Sequence, residues 1–526
     1  MTRRLLTADS VRDSDGVLGD GVLIEDGRIV AVGDADRLRS PDIAEERYPG
    51  DTIVPGLRDA HLHPVGYAAS MSRPILKAAR DFGDVADIIA TAARAQSPGS
   101  AVVALRLDDE TLAEGRLPDR RMLDAVLPDR PALLVRYCGH VAVANTQALV
   151  LAGIAEDAPD PPRGSMDRTE EGGLTGVLRE TAIDPVSSAL RSLAPEVTVD
   201  DLVGATTALA AVGLTGVGAM LDLEAGCWAG AGSELDLILE AAHRTPIYME
   251  AFVIADTPAA LHQAADRLAE AGGRVRFAGV KMFSDGSLGG HTAAMYDGYA
   301  DQPDQRGTDR LDPDWAEEVA RAALAIGGRV AVHAIGDRAN GRAIDLMERL
   351  ISNGADPALL RIEHASVLTP GDIDRFGRLG VTASVQPAFI ASETSWLEKR
   401  VGAERLRRTY PFRSLASAGA PLAGGSDSPV EPPHPLQGLA AARDRCGLVP
   451  EEGLDAAAAL ALFTAGAARA IGEDASLAPG SAASLTVLSG DPVTSHPDRV
   501  RHMKIVATWV DGEPVQIPDG ITTWRG

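Results

Sequence analysis

From residue 53 to residue 425 short apolar runs alternate with Ala-rich helical stretches. The strand-like runs fall near 53–58, 215–221, 246–253, 277–283, 329–335, 360–365, 381–387 and 421–425. Segments between them, such as "DWAEEVARAALAIGG" and "NGRAIDLMERLISNG", carry helical periodicity and end at glycine. Eight buried strands alternating with helices predict a (β/α)8 barrel of the TIM type in preference to an open doubly wound sheet. Such a barrel gathers the side chains at the C-terminal ends of its strands around one mouth, which is where chemistry belongs.

The two ends of the chain read differently. "GVLIEDGRIVAVGD" holds two strand-like runs joined at Asp26-Gly27, and "IVATWVDGEPV" repeats the device at Asp511-Gly512. Matching β character at both termini predicts one composite β-sandwich domain from residues 1–52 and 480–526, with the barrel occupying 53–479. The gap between the first two barrel strands, about 68–205, is an expected insertion with strands of its own at 101–107 and 132–137. The Pro-rich "DAPDPPRGSMDRTEEGG" at 157–173 reads as a loop.

Bulk properties remove several function classes. A net charge of −25 with no block of like charge opposes binding to nucleic acid or an anionic membrane. No run approaches the roughly eighteen apolar residues that span a bilayer, and MTRRLLTADS is not a signal peptide. Three separated cysteines, Cys138, Cys227 and Cys446, exclude a disulfide framework and fit a reducing cytoplasm. Aromatic residues at 4% argue against a wide stacking groove for polymers.

The polar residues at the expected strand ends form a pattern. "VPGLRDAHLHP" places His61 and His63 two apart, so that both point the same way from an extended strand. The fourth strand ends in Lys281, the fifth in His333, the sixth in His364, and Asp427 follows the eighth. Each has an ordinary alternative: His333 as a hydrogen-bonded core residue, His364 as a partner of Glu363, Asp427 as a helix N-cap. Together, four imidazoles and a carboxylate at one mouth have the ligand chemistry for one or two divalent ions such as Zn, Mn or Fe. Lys281 shares a face with Gly279 and Phe283, towards the barrel interior, where an unpaired ammonium is costly.

This order resembles the amidohydrolase superfamily, and the strings "PGLRDAHLHP", "VKMFSDGSLG", "VHAIGDRA", "RIEHAS" and "GGSDSPV" resemble its YtcJ-like branch, which includes N-substituted formamide deformylases. The resemblance implies two metals, with His61, His63 and Asp427 on the buried ion, His333 and His364 on the more exposed one, and Lys281 carboxylated at its amine to bridge them. It also implies substrate contacts from His140 and Asn145 in "YCGHVAVANTQAL". One departure stands out: the branch usually has Arg after "GSLGS", whereas this chain reads "GSLGGHTAAM" with His291 in that place, either a third substrate contact or a surface histidine.

The expected activity is metal-dependent hydrolysis of a C–N bond in a small amide, formamide or carbamate, with Asp427 as the proton carrier. The alternatives are a deaminase or cyclic-amide hydrolase on the same frame, or a scaffold without catalysis. A scaffold should have lost ligands, and all six positions are kept. The expected partner is a small-molecule substrate, the expected assembly a homodimer.

Overall fold

The computed structural model describes residues 3–223 and 233–524. Eight strands, Leu57–Leu62, Leu214–Asp222, Tyr248–Ile254, Val275–Phe283, Arg329–Ala334, Leu360–His364, Thr382–Val385 and Leu422–Gly424, form one parallel sheet in sequence order. Its two edges meet just beyond the last strand. There Asp427 donates its backbone N–H to the His61 carbonyl at 2.7 Å, and His63 donates to Ser428 at 2.8 Å. The helices outside the sheet follow from local signals. Pro313–Ala325 starts at Asp312, whose carboxylate accepts the Trp315 N–H, and turns Ala316, Val319, Ala320 and Ala323 inward. Burying Val319 alone is worth about 1.5–3 kcal/mol.

One boundary differs from the expectation. The first barrel strand begins at Leu57, not at residue 53, because Ile53 pairs with Val11 and Val487 in a separate sheet. Gly56 is the joint between the two. Its N–H reaches the Ser484 carbonyl at 2.9 Å, and a Cβ at this position would lie 2.4 Å from Thr215 Oγ1.

Both chain ends enter that separate sheet. Its seven strands run in the order Glu513–Pro514, Ile505–Val510, Leu485–Leu488, Ala44–Pro55, Arg3–Arg12, Val17–Glu25 and Arg28–Gly33. The hairpins form where Asp-Gly marked them: Asp26 and Gly27 have φ of 48° and 79°, Asp511 and Gly512 have 53° and 75°. These are the positive values a tight hairpin turn requires.

The insertion contributes a five-stranded sheet, ordered Val102–Leu107, Ala132–Arg136, Val141–Ala144, Leu174–Glu180 and Gly164–Arg168. Its two faces are buried in two apolar layers, one around Val103, Leu133 and Leu178, the other around Val102, Leu134 and Val143. The last of these strands corrects the reading of 157–173 as a loop. Gly164–Arg168 pairs antiparallel with Leu174–Glu180 across a turn in which Thr169 N–H reaches the Gly173 carbonyl at 2.8 Å. The Asp160 carboxylate accepts the Met166 N–H at 2.9 Å, which ties the Pro-rich segment down.

Cys138 and Cys446 are free thiols, while Cys227 lies outside the described residues. Among the described residues no helix is long and apolar enough to cross a membrane.

Candidate metal centre

Strands one, six and eight bring three ligand-type atoms, from His61, His364 and Asp427, within 4.8 Å of one another, all buried. Asp427 Oδ1 lies 3.3 Å from His61 Nε2 and 3.4 Å from His63 Nε2. His333 joins the group through its ring, 4.5 Å from that of His364. Asp427 and His364 sit at φ of 58° and 71°. Left-handed backbone is strained for such residues and collects at functional sites.

Each buried imidazole is fixed by the nitrogen that faces away from the cluster. His61 Nδ1 is 2.5 Å from Glu363 Oε2, and His364 Nδ1 is 2.7 Å from Gln386 Oε1. His333 Nε2 is 3.0 Å from the Gly286 carbonyl. These acceptors hold the proton on the named nitrogen and leave the other as a lone pair, the arrangement that orients histidine ligands of metals. Burial pushes the pKa of His63, His333 and His364 below that of a free imidazole, so these rings stay neutral. Burial opposes ionisation of Asp427 and Glu363 as well. His61 outweighs it for Asp427, Arg361 and His61 outweigh it for Glu363, and both carboxyls fall well below their usual range.

Lys281 is 2% exposed, with Nζ 3.3 Å from His61 Nε2 and 4.9 Å from the centre of the Phe283 ring. Burial brings its pKa down to about 8. A neutral amine is nucleophilic, which an ammonium is not.

The proposed substrate contacts fall into different places. His140, from the insertion, lines the cavity above the cluster, 5.2 Å from the His333 ring, with Nδ1 held by Glu180 Oε2 at 2.9 Å. Asn145 does not line it. Its amide caps helix Thr146–Leu151 by accepting the Ala148 N–H, accepts also from Ala132, and donates to the carbonyls of Leu127 and Arg130. With every polar position of its side chain consumed, Asn145 holds the insertion together. His291 is also absent from the cavity lining; its Nε2 pairs with Asp301 Oδ1 at 3.2 Å, and burial takes its pKa down to about 4.

Several supporting residues escape a reading by motif. Asp59 accepts the backbone N–H groups of His61 and Ser426, both at 3.0 Å, and so joins strand one to strand eight. Asp285 accepts from Ala294, Ile335 and Gly336, fastening the loop after strand four to the end of strand five. Asp59 and Glu363 did leave a signal: each is a charged residue inside a strand buried at every position. Glu180 left none, since only the folded insertion brings it to His140. A larger cleft of about 380 Å³ on the terminal sheet, between Arg4, Asp26 and Glu513, shares no lining residue with this site.

Residues 49–516 match the amidohydrolase family, and residues 21–40 match a bacterial imidazolonepropionase-like composite domain. YtcJ of Bacillus subtilis (strain 168) is 31% identical, covering 95% of this chain and 96% of its own. The N-substituted formamide deformylase of Arthrobacter pascens is 28% identical over 95% of both. An uncharacterized metal-dependent hydrolase from Pyrococcus horikoshii OT3, solved by crystallography, superposes with a TM-score of 0.73 at 27% identity, covering 94% of this chain and 99% of that one.

Proposed function

Since the chain belongs to the amidohydrolase family, we propose that it hydrolyses the C–N bond of a small amide, formamide or carbamate with the help of two divalent metal ions. One observation carries this reading: His61 and His364, each held through Nδ1, bring ligand-type atoms within 4.8 Å of the Asp427 carboxylate. The donor set fits divalent transition metal, Zn before Mn or Fe. His61, His63 and Asp427 would hold one ion, His333 and His364 the other. Lys281 would serve both as a carbamate: its neutral Nζ adds CO2, loses a proton, and turns a buried cation into a carboxylate. The formamide deformylase relative supports the choice of bond.

When bound, divalent metal supplies Lewis acidity that polarises a carbonyl and acidifies water. Asp427 stays ionised and takes the proton of the attacking water. It then delivers that proton to the nitrogen as the C–N bond breaks, giving acid and amine. Glu363, Gln386 and Gly286 hold the imidazoles so that no reorganisation is needed during the reaction. The test is elemental analysis of the purified protein beside a screen of formamides, N-acyl amines and carbamates. Two metals per chain, with activity lost on chelation and regained with Zn or Mn, is the expected result. Full activity after exhaustive chelation would overturn it.

A further inference from the structure

The cavity above the metal centre is lined by two carboxylates, Asp427 and Glu393, and among the described residues by no lysine or arginine. Asp427 is engaged by His61 and His63. Glu393 stands apart from them, at the end of helix Ala388–Glu393, which follows barrel strand seven. It is 8% exposed and accepts a hydrogen bond from Tyr410 Oη at 2.6 Å. The cations that act on it from a distance are committed elsewhere: Arg400 to Glu110 and Asp301, Arg136 to Asp109. Burial pushes the Glu393 carboxyl up to about 8. Burial keeps the carboxyl protonated near neutral pH, and ionising it in such a place calls for a positive partner close by.

We propose that Glu393 determines specificity, selecting substrates whose group beyond the scissile C–N bond carries a protonated amine. The inference rests on the hydrolase reading for the bond that is cut, not for the group that is recognised. An entering ammonium supplies the missing charge and donates to Glu393. Phe389 and Tyr410, which line the same cavity, add aromatic surface beside it. An anionic tail finds no matching cation there. Among the described residues neither Nη atom of Arg136 has a hydrogen-bond partner, but both are buried behind Gly289 of the cavity wall, where a Cβ would lie 2.3 Å from Nη1.

The experiment uses the full-length, metal-loaded enzyme and three N-formyl alkylamines of equal length, ending in ammonium, methyl or carboxylate. The ammonium substrate should exceed the methyl one by roughly 10- to 100-fold in kcat/KM, mostly through KM. Glu393→Gln should bring that ratio close to one. A preference for the carboxylate, or a ratio unchanged in Glu393→Gln, overturns the proposal and in the first case points to Arg136. Calorimetry with n-butylamine and butyrate gives a reading independent of turnover. The amine should bind wild type and not Glu393→Gln; equal binding to both overturns the proposal. Amine binding that depends on Glu393, without turnover of any substrate, would sustain this inference and remove the hydrolase reading. Should Glu393→Gln fail to fold, Tyr410→Phe should lower the ratio about threefold by removing one hydrogen bond from the carboxylate, and an unchanged ratio overturns the proposal.

Discussion

His61 Nδ1 and Glu363 Oε2 lie 2.5 Å apart, fully buried, although 302 residues separate them in the chain. Behind Glu363 stands Arg361, whose Nη2 donates to the same oxygen at 2.8 Å. Strand six therefore supports the candidate ligand His61 on strand one through a charge-assisted relay: guanidinium, carboxylate, imidazole. Glu363→Gln keeps the shape and removes the charge. Metal affinity should fall about 10- to 100-fold, measured by competition with a chromogenic chelator. Unchanged affinity would show that the pair serves packing alone.

Asp427→Asn retains an oxygen at the cluster and loses the proton acceptor. Turnover should drop by on the order of 10²–10⁴-fold, while KM moves much less. Steady-state kinetics on the best substrate from the screen decides this, and near-normal turnover would place the base elsewhere.

Lys281→Ala should lose at least one metal and nearly all activity, and Lys281→Arg should be as damaging because guanidinium cannot take up CO2. Added acetate or propionate should restore part of both properties to the alanine variant. A crystallographic map with metals bound and a bare amine at Lys281 would end the carbamate proposal.

Asn145→Ala removes a helix cap and leaves buried backbone groups without partners. Its cost should be about 1–3 kcal/mol of stability with metal content unchanged, read from denaturant melts and elemental analysis. A large loss of substrate affinity at full stability would return Asn145 to the substrate contacts.

Glu250, buried on barrel strand three, has its carboxyl pushed up to about 8 by burial first and by Glu473 second. Its folded pKa lies above the unfolded value, so the folded state holds the extra proton between roughly pH 4.5 and 8. The stability from this group is full below that range and is lost as pH rises through it. The melting temperature of Glu250→Gln, relative to wild type, should therefore climb from pH 5 to pH 8. A constant difference would mean that Glu250 is ionised throughout.

The barrel was legible because buried parallel strands read as continuous apolar runs, and Lys281, His333 and His364 interrupt those runs at their ends. The register of the first strand was less so. Residues 53–57 form one apolar run across two sheets, and only the neighbours of Ile53 and Leu57 distinguish one from the other. Asn145 lies apart from the cavity lining, its amide saturated by backbone, a placement that a polar residue near a recognised string does not reveal. Glu393 left no mark, since it sits in "AFIASETSW" as one more helical glutamate. Its burial depends on Tyr410 and the cavity wall, which are set only in three dimensions.

The terminal sheet also imposes a timetable on the ribosome. Ala44–Pro55 pairs on one side with Arg3–Arg12, which is made early, and on the other with Leu485–Leu488. At about 5–20 residues per second, translation leaves that second edge waiting for roughly 20–90 s. During this interval the nascent chain presents an open strand edge carrying Ile53 and Val54, a template for pairing with other chains. The late-made strand Leu485–Leu488 is thus the one that closes off this edge to aggregation.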